Sequence, residues 1–137
     1  MNRIFKTICC LVVFTSYASS QNDITVVVSN LESNAGKVFV GLYNTEESFL
    51  GKGFKHVNSK IEDNSCTVVF KNVPNGIYAI SLFHDENGND KMDTGMFGIP
   101  KEAYGCSNNA TGFMGPPKWE DAKFEVKNKS VTQNINL

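Results

Sequence analysis

Asp85, Asn87, Asn89 and Asp93 fall in the stretch FHDENGNDKMDTGMFGIP with the spacing D-x-N-x-N-D-x-x-D. All four side chains carry hard oxygen donors, and donors at this spacing can converge on one cation. The order matches positions one, three, five and nine of an EF-hand calcium loop, with the main-chain carbonyl of Lys91 at position seven. Two positions depart from that loop. Asp90 occupies position six, where a sharp turn favours glycine, and Met96 occupies position twelve, where a bidentate glutamate completes the shell. Calcium is the cofactor these residues point to, with affinity weakened to about 10⁻⁴ to 10⁻³ M, as in extracellular modules. The same letters also spell a turn, because Asn87-Gly88 is a hairpin signal and Asp and Asn are ordinary turn formers. On the residues alone, a calcium loop and an unliganded turn are both open. A transition metal is disfavoured, since His84 has only His56 as a second imidazole.

The elements that must position this loop repeat at period two rather than 3.6. Residues 24–31, 37–43, 66–73, 76–84 and 122–127 are short, rich in Val, Ile, Phe and Tyr, and bounded by Asn, Gly, Pro and Asp. Residues 55–62 and 130–137 alternate more weakly, as edge or half-exposed strands do. In the strand before the acidic loop, Tyr78, Ile80 and Leu82 share one face, and Ala79, Ser81 and Phe83 share the other. About seven strands in a domain of this size give an all-β fold, an antiparallel β-sandwich of the immunoglobulin-like or transthyretin-like kind.

The N-terminal twenty residues contain Arg3 and Lys6, an apolar run from Ile8 to Phe14, and small residues through Ser20. That is the pattern of a secretory signal peptide, and the apolar run is shorter than the ~20 residues a spanning helix needs. Residues 21–137 are then one exported domain, secreted or periplasmic. Cys9 and Cys10 lie too early for a lipidation box and lack its leucine and small residues. The leader takes two of 13 basic residues and none of 14 acidic ones, leaving a net charge of −3. Without a basic cluster, nucleic acid is excluded as a partner, and no segment spans a membrane. Cys66 and Cys106 persist into the exported domain; as a disulfide they would close a loop of 41 residues and stabilise by about 4 kcal/mol. Two unrelated thiols are the alternative, and spacing does not choose between them.

Residues 98–126 form a long connection dense in Gly, Asn, Pro and aromatics. Loops of this length bind something or are packed down by their own side chains. If it binds, Tyr104, Asn108, Asn109, Phe113 and Trp119 would line a surface for a sugar, peptide or small ligand.

From VPNGIYAIS through GPPKWEDAKF, the chain resembles the bacterial domain-of-unknown-function family 2141. The family pattern reads much like H-D-x-N-x-N-G-K-x-D, then G-x-P-x-E-x-Y-x-x-S-N-N and G-P-P-x-x-x-x-A-x-F. The resemblance implies a β-sandwich in an envelope or extracellular setting and brings no activity with it. It implies that Asp85, Asn87, Asn89 and Asp93 form a shared acidic loop. It further implies that Gly98, Pro100, Glu102, Tyr104, Ser107, Asn108, Asn109, Gly115, Pro116 and Pro117 form a shared long loop. Asp90 departs from the pattern, which has glycine there.

No nucleophile motif is present: Ser107 has no neighbouring His, and Glu47, Glu102 and Glu120 form no acid and base pair in sequence. The expectation is a non-enzymatic structural or interaction module with a weak calcium-type loop. The alternative is an envelope binding module that takes its ligand on the 98–120 loop.

Overall fold

Alternation at period two places Ile24, Val26 and Val28 of β1 (Asn22–Ser29) on one face, and all three are fully buried. The computed structural model describes residues 21–137, so the expected signal peptide at residues 1–20 lies outside the described residues. Strands β2 (Lys37–Tyr43), β3 (Lys55–Ser59), β4 (Cys66–Val73), β5 (Gly76–Asp85), β6 (Tyr104–Cys106), β7 (Phe124–Val126) and β8 (Val131–Asn136) complete two sheets. One sheet runs β4-β1-β8; the other runs β3-β2-β5-β6, with β7 pairing the start of β5. Their inner faces meet in a core that includes Val40, Leu42, Ile80, Leu82, Val126 and Ile135, the arrangement of a β-sandwich. Among the described residues no helix is long and apolar enough to cross a membrane.

Two features differ from the sequence reading. The additional strand, β6, is three residues long and lies within the long connection, where Gly105 and the flanking polar residues hide its alternation. The pairing of β1 with β8 is parallel, whereas all other strand pairs are antiparallel. Alternation reports which face a residue occupies but not the direction of its neighbour.

The faces expected for β5 are the faces observed. Tyr78, Ile80 and Leu82 are buried in the core. On the opposite face Ala79 is buried beneath a second cluster, formed with Tyr43, Cys106, Trp119 and Ala122. The short helix α1 (Trp119–Ala122) carries that cover, and Phe49 joins Tyr43 and Trp119 by edge-on ring contacts. Ser107 fastens α1 to the sheet. Fully buried, its hydroxyl accepts the Ile80 N–H at 2.9 Å and donates to the Ala122 carbonyl.

Of the two alternatives left open for Cys66 and Cys106, the structure holds the unpaired one. Cys66 and Cys106 are free thiols, one in β4 of the first sheet and the other in β6 of the second. They also pack in different clusters, one in the central core and one under α1. Burial pushes up the thiols of Cys66 and Cys106 from 9.0, partly offset by the Ser59 and Ser81 hydroxyls. Burial also pushes up the phenols of Tyr43 and Tyr78 from 10.0, and the nearby Cys106 adds to the shift at Tyr43.

Two predictions follow from this packing. Each of the four groups binds its proton more tightly folded than unfolded, so its contribution to stability is complete below its unfolded value and is lost as pH rises through the folded one. The Tm should therefore hold up to about pH 9 and fall at higher pH, and a thermal melt at about pH 10.5 that matches neutral pH would contradict the burial of these groups. Replacing Ser107 by Ala strands two buried backbone groups, which should cost about 2–4 kcal/mol. In a domain of this size that lowers Tm by roughly 10 °C, measurable by circular dichroism.

Candidate functional site

Strand β5 ends at Asp85, whose carboxylate is fully buried and so requires donors. The loop supplies them from its own backbone. Oδ1 accepts the N–H groups of Gly88 at 2.9 Å and Asn89 at 3.2 Å, and Oδ2 accepts that of Asp90 at 2.9 Å. This wrapping needs positive φ at Gly88 (+73°) and Asp90 (+62°), so Asp90 adopts the left-handed conformation for which glycine is the usual residue. His84, also buried, donates from Nε2 to the Ala35 carbonyl at 2.7 Å and anchors the β1–β2 connection beside the loop.

The next donors turn toward one another. Asn87 and Asn89 each use the side-chain oxygen to accept a backbone N–H two residues on, from Asn89 and Lys91 respectively. Both amide nitrogens then donate to Asp93, Asn87 to Oδ2 and Asn89 to Oδ1, the latter at 2.8 Å. Asp85, Asn87, Asn89, Lys91 and Asp93 are thus joined in one hydrogen-bonded loop, in which Asn87, Asn89 and Lys91 remain exposed. Among the described residues, no group of three or more His, Cys, Asp or Glu side chains is placed to hold a metal ion. The donors are nevertheless all hard oxygens. A half-turn of each terminal amide would turn its oxygen toward Asp93, at the cost of the bond that oxygen now accepts from the Asn89 or Lys91 N–H.

Glu102 belongs to this site, and the spacing argument missed it. Its Oε1 accepts the Glu86 N–H at 3.2 Å and its Oε2 accepts the Asp93 N–H at 3.0 Å, so one carboxylate bridges the two ends of the loop. The Lys101 N–H donates to the Asp93 carbonyl at 2.8 Å and closes the return. Glu102 lies nine residues beyond Asp93, past an irregular segment. The only signal in the sequence was its place in the family pattern.

The long connection does not assemble the expected ligand surface. Trp119 is buried against Phe49, and Asn108 and Asn109 are occupied with backbone. Asn108 Nδ2 donates to the carbonyls of Asp121 and Lys123, while Asn109 accepts from the Asn136 N–H and donates to the Asn134 carbonyl. Phe113 is 91 % exposed.

Of the five residues, Tyr104 alone lines the cleft that the structure does contain, a space of ≈ 1030 Å³ over the outer face of the β3-β2-β5-β6 sheet. Phe39 and Phe83, directly paired across β2 and β5, stack there with centroids 5.3 Å apart and planes 10° from parallel. Gly41 and Ser81 form the next cross-strand pair. The Tyr43 ring lies over Gly41, where an added Cβ would come within 2.9 Å of the phenol oxygen. Leu50, Phe97, Ile99 and Met114 add apolar side chains from three separate loops. The floor was partly legible, since Phe83 and Ser81 have the outward phase of β5.

The acidic loop generates a backbone prediction. Gly36 has φ +70° and packs so closely that an added Cβ would meet the Asp85 carbonyl oxygen at 1.8 Å, whereas Gly88, at φ +73°, has open space around it. Gly36→Ala should cost about 3 kcal/mol or more from strain and overlap together, and Gly88→Ala about 1 kcal/mol from backbone strain alone. Equal costs in urea denaturation would show that Gly36 does not seat Asp85.

A family model described as "Uncharacterized protein conserved in bacteria (DUF2141)" matches residues 26–134, from within β1 to within β8. No curated protein and no solved structure matches the chain significantly. The matched span contains the acidic loop, Glu102 and every cleft residue named above, and the chain belongs to the DUF2141 family.

Proposed function

We propose that this protein is a non-enzymatic interaction module of the bacterial envelope or exterior, in which residues 85–102 form a weak calcium-type loop. The observation that carries the reading is the convergence of the Asn87 and Asn89 amides on the two carboxylate oxygens of Asp93, beside the buried Asp85. Five acidic residues and two lysines lie between Asp85 and Glu102, an excess of negative charge that a hard divalent cation would offset. Asp85, Asn87, Asn89, Asp93 and the Lys91 carbonyl would hold the ion, with Glu102 supporting the shell from the far side. The chemistry such an ion supplies is charge neutralisation and cross-linking of the loop. The absence of catalysis is supported by how the nucleophilic groups are placed. The Ser107 hydroxyl is consumed by two backbone groups, and the Cys66 and Cys106 thiols are buried with raised pKa values.

A second reading, a ligand-binding module, is favoured by the cleft over Phe39 and Phe83. In that reading the ligand-bearing surface is shifted from the Asn108, Asn109 and Trp119 region to the sheet face beside Tyr104.

For the first reading, calcium at about ten times its Kd should stabilise the native state by about 1.4 kcal/mol, a Tm increase of roughly 5 °C. Asp93→Ala should abolish the increase, and Glu102→Gln should reduce it. A midpoint that does not move with calcium in the parent protein would reject the loop as a calcium site.

A further inference from the structure

The cleft combines apolar lining with unusual backbone geometry. Among the described residues, eleven non-glycine residues have positive φ, and eight of these are Asn or Asp, which tolerate that conformation. The other three are Leu50 (+62°), Phe97 (+60°) and Met114 (+54°), and all three line the cleft. Bulky side chains in the left-handed region carry backbone strain, because Cβ crowds the following carbonyl oxygen. Phe97 and Met114 are each 94 % exposed, so burial of their own side chains does not offset that strain. Three independent loops thus hold strained backbone in conformations that present apolar side chains to one open space, and such strain concentrates at binding sites.

The chemistry of the lining narrows the occupant. The floor is the face of a sheet, not its edge. β5 pairs β2 over residues 79–85 and β7 and β6 over residues 76–78 and 81–83, so along the floor at Ser81 and Phe83 its backbone is paired on both sides. Beyond the polar groups of Tyr43, His56, Ser81, Tyr104, Asp90 and Lys91, the lining is Phe, Leu, Met, Ile, Val, Pro and Gly, and the donors and acceptors of a sugar or a peptide held against that part would go unsatisfied. Hydrocarbon makes no such demand. The charged residues of the lining are Asp90 and Lys91, and Lys91 makes no ion pair among the described residues. The volume lies at the upper end of the roughly 300–1,000 Å³ usual for small-molecule sites.

We propose that this cleft binds a long-chain fatty acid, with the hydrocarbon chain over the stacked Phe39–Phe83 pair and the carboxylate on the Lys91 ammonium. The proposal rests on the second reading above, in which the cleft is a binding site, and adds the ligand class. Leu50, Phe97 and Met114 close over the chain, and burying them against it recovers the apolar surface they otherwise expose to water. Asp90, adjacent to Lys91, opposes an anionic head and tunes the affinity downward.

The test uses fluorescence of the neutral apolar probe N-phenyl-1-naphthylamine with purified protein, and competition by monomeric palmitate. The probe should bind saturably, and palmitate should displace it. Lys91→Gln should weaken palmitate about tenfold, the loss expected for one charge-assisted contact, while affecting the probe far less. Asp90→Asn should tighten palmitate, and Phe97→Ser with Met114→Ser should weaken both ligands, since these exposed side chains can be cut back without opening the core. If the probe binds but palmitate does not displace it, or displaces it equally well from Lys91→Gln, the ligand class is wrong while the cleft reading stands. If neither binds, both fail. Sedimentation of the protein with phosphatidylglycerol vesicles in place of monomer binding would also overturn the proposal.

Discussion

The backbone of β5 is hydrogen-bonded along both edges, to β2 over residues 79–85 and to β7 and then β6 on the other side. Both faces of the strand are also in use. One carries Tyr78, Ile80 and Leu82 into the core; the other buries Ala79 under α1 and leaves Ser81 and Phe83 to floor the cleft. The strand then ends in the buried carboxylate of Asp85. A strand fixed on four sides leaves little freedom at its end, so the acidic loop begins from a defined position and direction. The small side chain of Ala79 and the hydroxyl of Ser107 let the second layer approach this closely, and neither is replaceable by a larger residue without displacing α1.

The parts legible in the sequence are those with a short-range signature. Alternation in β1 and β5 reports burial because one face of each strand meets the core. The spacing of Asp85, Asn87, Asn89 and Asp93 reports a tight hydrogen-bonded turn because the intervening segment is short. Glu102, β6 and the parallel partnership of β1 with β8 were not legible, for a shared reason: each depends on a contact across an irregular segment or between distant ends of the chain. The pairing of Cys66 with Cys106 belongs to the same class. Two cysteines in a chain expected to be exported permit a bridge, but whether they meet is decided by the placement of β4 and β6 in separate sheets. The expected ligand surface failed differently. Asn108 and Asn109 are polar and exposed, as a binding pair would be, yet a 3-10 turn with positive φ at both residues directs their amides onto the backbone of α1, its flank and β8.

Positive φ is used in two distinct ways in this chain. At Asn30, Asp63, Asn64, Asn72, Asp90, Asn108, Asn109 and Asn128 it makes turns with residues suited to it, and several of their side chains satisfy local backbone groups in return. At Leu50, Phe97 and Met114 no such local bond compensates, and the side chains face solvent. Selection for foldability alone would place Gly or Asn at these three positions. The cost is therefore attached to what the side chains present, which is apolar surface around a single space.

The acidic loop and the cleft are not separate devices. Lys91 gives its backbone N–H to the Asn89 side chain, inside the loop, while its own side chain lines the cleft, and Asp90 does the same with its N–H on Asp85. Any change that tightens the hydrogen-bonded ring around Asp93 fixes the backbone from which these two charges project. The segment between Asp93 and Glu102 carries Phe97 and Ile99 and is tied at both ends, through the Lys101 N–H to the Asp93 carbonyl and the Asp93 N–H to Glu102. The apolar rim is thus a closed loop hung from the acidic site. Order in the polar cluster limits how far the rim can open, and contacts that hold the rim down in turn favour the geometry that brings Asp93 and Glu102 together.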